Sequence, residues 1–209
     1  MKEMAYSKLA PLLKTGDIVL FSGQYQMSKI VEKLEGSKWS HVAMVIRLDG
    51  YDEPLLYEAT ALINLPNLIN GQTVTGPKVV RLKERLETYG DDVIPYVAPA
   101  YSVRRSNHTA TPEENAKLKA IVTKLEGTPN PGTWQMIFEV FVGRFLYIPT
   151  PMTNITCSGF ISYTFKQLGW LKGLKPINGY MPKDFSTDMN LKLANHIAYS
   201  DEILINLHQ

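Results

Sequence analysis

The sequence predicts an α+β fold in a single domain spanning residues 1–209. Short apolar runs bounded by turn residues crowd the first half, and helical spacing governs most of the second. No repeat, low-complexity tract or linker divides the two halves, and the chain is long enough to bury a substantial core.

Gly16-Asp17 before Ile18-Val19-Leu20-Phe21 reads as a turn and a buried strand. Met27, Ile30, Val31 and Leu34 share one helical face, which Gly36 ends. Residues 37–40 form a loop. His41 then opens an interior strand through Ile46, apolar on both faces after the His. Leu55 to Ala59 is the next strand and Val79 to Leu82 a third, with loop over 61–77. Val93 to Tyr101 is extended but carries Pro95 and Pro99, which predicts an edge strand or a bulge.

In Thr111-Pro112-Glu113-Glu114 a capping box with Pro at the first helical position begins a helix. Leu118, Ile121, Val122 and Leu125 form its buried face, and Gly127 stops it. Trp134, Ile137, Phe138, Phe141, Val142 and Phe145 recur at helical spacing; this one-sided stripe, which runs on to Leu146, reads as a core-facing helix. After a Pro-containing loop over 147–156, a helix starts near Cys157 and ends at Gly169. Residues 170–183 read as loop and Glu202 to Leu207 as a last strand.

Composition narrows the function. A single Cys excludes an intrachain disulfide and any multi-Cys metal site. A net charge of +2 advertises no nucleic-acid partner. No cofactor is expected. No metal is expected either: a site built on His41 and Glu58 lacks tight ligand spacing. Lys8, Pro11 and Lys14 interrupt every N-terminal apolar stretch, and no run of 18 apolar residues exists. A cytoplasmic location is therefore expected, with an injected effector or a virus or phage protein as the alternatives that would leave no such mark.

Cys157 sits at a helix start with Thr156 as N-cap, where unpaired N–H groups and the helix dipole favour a thiolate. On these residues alone it stays open between a nucleophile and a small buried hydrophobe. A nucleophile needs a base. His208 is penultimate, His108 lies in a polar stretch read as surface loop, and His196 is ambiguous. His41 alone opens an apolar strand, where a polar ring needs a partner. Glu58 lies on a neighbouring strand and would orient that ring by accepting its N–H, as the third member of a triad does.

These residues resemble a known family. Thr156-Cys157-Ser158-Gly159-Phe160 is similar to the catalytic helix start of NlpC-type papain-like peptidases. Gly16-Asp17-Ile18-Val19 and Ser40-His41-Val42-Ala43 resemble their Gly-Asp strand and the strand carrying their catalytic His. Here Cys157 follows His41 by 116 positions, the reverse of the ordinary order. That order resembles the circularly permuted branch, which includes YiiX-like proteins and the lecithin–retinol acyltransferase group. Tyr57-Glu58-Ala59 and Met181-Pro182-Lys183-Asp184-Phe185 are similar to two further segments of YiiX-like members. Gly159 departs from them, standing where many carry Glu, so substrate choice is not inherited from that branch.

The resemblance implies a permuted papain-like fold, a small, mostly antiparallel sheet packed against helices. It assigns Cys157 as nucleophile, His41 as general base and then acid, and Glu58 as orienter. The backbone N–H groups of Cys157 and Ser158 would serve the oxyanion. The expected activity is cysteine-dependent hydrolysis of amide or peptide bonds through a thioester. The rivals are a lipid acyltransferase or acyl hydrolase, acting on an acyl ester, and a non-catalytic binding module on the same fold. Membrane contact through the 134–146 helix is the less favoured reading of that stripe.

Overall fold

The computed structural model describes residues 2–22, 36–89, 100–194 and 196–207. They form strands β1 (Lys2–Ala5), β2 (Ile18–Ser22), β3 (His41–Ile46), β4 (Leu55–Thr60), β5 (Gly76–Arg81), β6 (Ala100–Arg104) and β7 (Ile203–Asn206). The helices are α1 (Tyr6–Leu9), α2 (Leu82–Thr88), α3 (Pro112–Leu125), α4 (Thr133–Phe145) and α5 (Cys157–Gln167). The fold is α+β, as the sequence predicts. One mixed sheet runs β1-β7-β6-β2-β3-β4-β5, and only the β1–β7 pair is parallel.

Both faces of the sheet are covered, so β2, β3 and β4 are buried from end to end. On one face Leu20, Met44 and Tyr57 pack against Leu118 of α3 and Phe160 of α5. Tyr57 stacks on Phe160 at 4.5 Å, and its hydroxyl lies 3.2 Å from Thr164 Oγ1, so a polar atom is buried without loss of a partner. On the other face Val19, Val45 and Leu56 meet Leu9 of α1 and Leu86 of α2.

The capping box forms as its sequence requires. Thr111 Oγ1 accepts from Glu114 N at 3.2 Å, and Glu114 Oε2 accepts from Thr111 N at 2.8 Å. Such a cap contributes about 1 kcal/mol. Glu114 does more than cap: Oε1 accepts from Trp170 Nε1 at 2.6 Å, and Oε2 lies 3.0 Å from His108 Nε2. His108 is therefore tied into this network and is not a loose surface residue.

Several expectations are corrected. Leu82 begins α2 and does not end a strand; β5 starts earlier, at Gly76, within the stretch read as loop. The described end of the 93–101 segment lies in β6, which pairs with β2 and β7 and so is interior, not an edge. The 27–34 helix and residues 93–99 lie outside the described residues. β1 and α1 were not foreseen. Their apolar residues are few, and β1 is defined by pairing with the C-terminal β7 across the length of the chain.

The largest correction concerns α4. The helix forms, but only Val142 and Gly143 are buried, and its aromatic stripe faces outward. It docks by backbone instead. A Cβ on Gly143 would lie 2.6 Å from Gly179 N, and one on Gly179 would lie 2.7 Å from Gly143 O, so both positions require Gly. Asn178 Nδ2 donates to Glu139 O at 2.7 Å, and Arg144 Nη1 donates to Asp184 Oδ2 at 2.8 Å, which completes the attachment.

Candidate active site

Thr156 ends the loop before α5 in extended conformation, and its Oγ1 accepts from Gly159 N at 3.0 Å. This cap places Cys157 at the first helical position, where backbone N–H groups have no intrahelical acceptor. A Cβ on Gly159 would lie 2.9 Å from Thr156 Oγ1, so a longer residue there would crowd the cap.

The site lies where β3 begins. Val45 N–H bonds to Asp17 O on the β2 side, so by alternation the Val42 N–H points toward β4. The β3–β4 ladder pairs only residues 44–46 with 55–57, so the strands have parted by the level of Val42. The start of α5 enters there. The Val42 and Ser158 backbone N–H groups and the His41 ring lie close enough to the Cys157 sulfur to favour its thiolate.

His41 and Glu58 project onto the face opposite α5, by their alternation with Val45 and Leu56. The thiol and the imidazole therefore meet around the end of the sheet, not across one face. His41 Nε2 lies 3.1 Å from Glu58 Oε2, which leaves the other ring nitrogen for the sulfur. Phe21 packs edge-on against the imidazole at 5.1 Å and restricts its rotation.

Glu58 is fully buried, and a second cation holds it. Arg85 Nε donates to Glu58 Oε1 at 2.8 Å. Arg85 Nη2 is also 2.8 Å from that oxygen, but off the hydrogen-bond direction. Arg85 Nη1 donates to Asn64 Oδ1 at 2.7 Å. Burial alone would raise the Glu58 pKa, but Arg85 and then His41 outweigh it and bring it down to about 2. Lys78, also fully buried, donates to Leu62 O at 2.8 Å; burial lowers its pKa against the opposing pull of Glu58.

The thiol and imidazole shift together. Burial opposes both charges, yet the His41 cation lowers the Cys157 pKa, and Cys157 with Glu58 raises His41 to about 9. These shifts describe a thiolate–imidazolium pair titrating as a unit. Beside the sulfur opens an apolar cleft of about 330 Å³, walled by Met136, Val140 and Phe141 of α4 and by Tyr180 and Met189.

The structure thus brings the predicted Cys157, His41 and Glu58 together, with Ser158 beside them. Ser158 N–H lies close to the sulfur, and its Oγ donates to Tyr180 O at 2.8 Å. Arg85, Asn64 and the Val42 amide were missed. The signal for Arg85 was present, because Leu82, Arg85 and Leu86 fall on one helical face and place a cation among apolar residues. Among the described residues, no group of three or more His, Cys, Asp or Glu side chains is arranged to hold a metal. Likewise, no helix among them is long and apolar enough to cross a membrane.

No protein-family model matches the chain, and no curated protein matches it by sequence. Its fold is similar to the crystal structure of the metalloprotein YiiX from Escherichia coli O157:H7, DUF1105, with a TM-score of 0.52 at 16% identity, over 91% of this chain and 97% of that one. At that identity the likeness is one of fold.

Proposed function

We propose that this chain is a cysteine-dependent hydrolase of amide or peptide bonds on a permuted papain-like fold. The observation that carries the reading is the continuous line Cys157–His41–Glu58–Arg85, in which each group sets the charge of the next. The Cys157 thiolate attacks the carbonyl, forming the C–S bond while the carbonyl π pair moves to oxygen. The Cys157 backbone N–H, at the first helical position, stabilises that oxyanion. His41 delivers its proton to the leaving nitrogen, the C–N bond breaks, and a thioester remains. His41, now neutral, takes a proton from water, whose oxygen attacks the thioester and releases the acid and the thiolate. In this reading Glu58 serves the imidazole and not a metal, because its Oε1 is already taken by Arg85.

The test is intact-mass detection of an acyl adduct on Cys157, with a burst, from activated amides and esters. The pH dependence follows from the shifts. Alkylation of Cys157 should already be fast at neutral pH, because its pKa is lowered. Acylation that uses the His41 proton should fall as pH rises through about 9. Glu58→Gln should cost about 10- to 1,000-fold in acylation, because the base remains while its orientation and charge support are lost. An unchanged rate and pH profile in that variant would remove Glu58 from the mechanism.

A second reading, hydrolysis or transfer of a lipid acyl group, is favoured by the apolar wall that α4 gives the cleft. Turnover of a lipid ester, faster than of a peptide amide, would select it.

A further inference from the structure

Trp134, Phe138, Phe141 and Phe145 recur at i, i+4, i+7 and i+11, which holds them in one narrow arc of α4. Trp134 is 84% exposed, Phe138 63% and Phe145 65%. Leu146, Tyr147 and Ile148, which follow the helix, are exposed as well. Folding does not use this surface, because α4 is anchored through Gly143, Gly179 and Asn178. A contiguous apolar ridge left outside a packed core marks an interaction surface.

We propose that this ridge docks the protein on an anionic lipid bilayer, with α4 lying in the plane of the interface. Three features select a bilayer over a protein partner. The ridge is a row of exposed aromatic side chains, and such side chains favour the boundary between headgroups and acyl chains. At 13 residues, α4 is about 20 Å long, enough to lie in the interface and too short to span it.

Charge gives the third. Past Tyr147 the surface continues to the loop carrying Leu174, which is 92% exposed, with Lys172, Lys175 and Lys192 around it. The acidic residue among them, Asp184, is buried and already paired with Arg144 and Lys175. The rim therefore presents positive charge to whatever the ridge enters, which suits anionic headgroups. Phe141 and Phe145 belong both to the ridge and to the cleft wall beside Cys157, so the cleft opens at the docked surface.

The protein carries its own reporter. Trp39 and Trp170 are buried, so a blue shift in emission on adding vesicles reads Trp134. The full chain should sediment with vesicles of phosphatidylcholine plus phosphatidylglycerol, more weakly with phosphatidylcholine alone, and less at high salt. Combined Trp134→Asp and Phe138→Asp should weaken partitioning about tenfold or more, with far-UV circular dichroism unchanged. Lys172→Glu with Lys192→Glu should remove the preference for the anionic lipid.

Cys157→Ala should bind as the parent does, so docking and the proposed chemistry are tested separately. Absence of sedimentation and of any emission shift would overturn the proposal. So would undiminished binding by the Trp134→Asp, Phe138→Asp variant. A dimer that this variant dissociates, without vesicle binding, would assign the ridge to self-association instead.

Discussion

Replacing Cys157 by Ala is expected to abolish covalent labelling by a thiol-directed acyl probe, and replacing His41 by Ala to slow it about a thousandfold or more at neutral pH. Residues that act as one unit each carry nearly the whole effect, because the remainder cannot complete the transfer. Cys157 is the sole cysteine, so the Ala variant leaves no alternative thiol. In His41→Ala the thiol loses the cation that offsets its burial, so the thiolate fraction at neutral pH collapses. Intact mass spectrometry after timed exposure measures both variants. Labelling of His41→Ala at the parental rate would dismantle the triad, since that sulfur would then be activated without the imidazole. Far-UV circular dichroism of each variant separates this outcome from misfolding.

Arg85→Met is the second large expected effect, and it acts on stability and chemistry together. The variant retains a carboxylate buried at zero exposure and deletes its principal counter-charge. Removing one partner of a buried pair costs about 3–5 kcal/mol. The Glu58 pKa, held at about 2 in the parent, lies below its ordinary value. Its contribution to stability is thus present above the ordinary carboxylate range and is lost as pH falls toward 2. In Arg85→Met that loss should begin at higher pH, because the carboxyl protonates more readily. Urea midpoints across pH measure it. Adding Glu58→Gln should recover much of the stability, by removing the orphaned charge, without recovering acylation. A cost under about 1 kcal/mol in the single variant would mean that Arg85 is not the counter-charge that the distances describe.

Much of this was legible in the sequence where local chemistry decides the outcome. The His41–Ile46 strand, the Thr111 cap and the Cys157 helix start each rest on neighbouring residues, and each forms at the expected place. His41 and Glu58 stood out because polar side chains in apolar strands need partners, and the family resemblance gave them their proposed roles. What stayed hidden depends on distant partners. β1 exists through pairing with β7, and the orientation of the Val42 amide depends on where the β3–β4 ladder ends. Arg85 was passed over because Leu82 was read as the end of a strand and the residues after it were assigned to no element. The α4 face was misread because periodicity reports that a helix has an apolar side, not what that side meets.

The contact between Gly143 and Gly179 gives substitutions around the cleft an inverted tolerance. Elsewhere in this protein buried apolar side chains guard the native state. Along α4 the large aromatics can turn polar at little cost to folding, whereas one methyl group on either glycine prises the wall from its support. Hydropathy therefore ranks these positions backwards. A screen that selects variants for solubility would strip the ridge first and, in Trp134 and Phe138, would remove the proposed docking surface before it disturbed a single core contact.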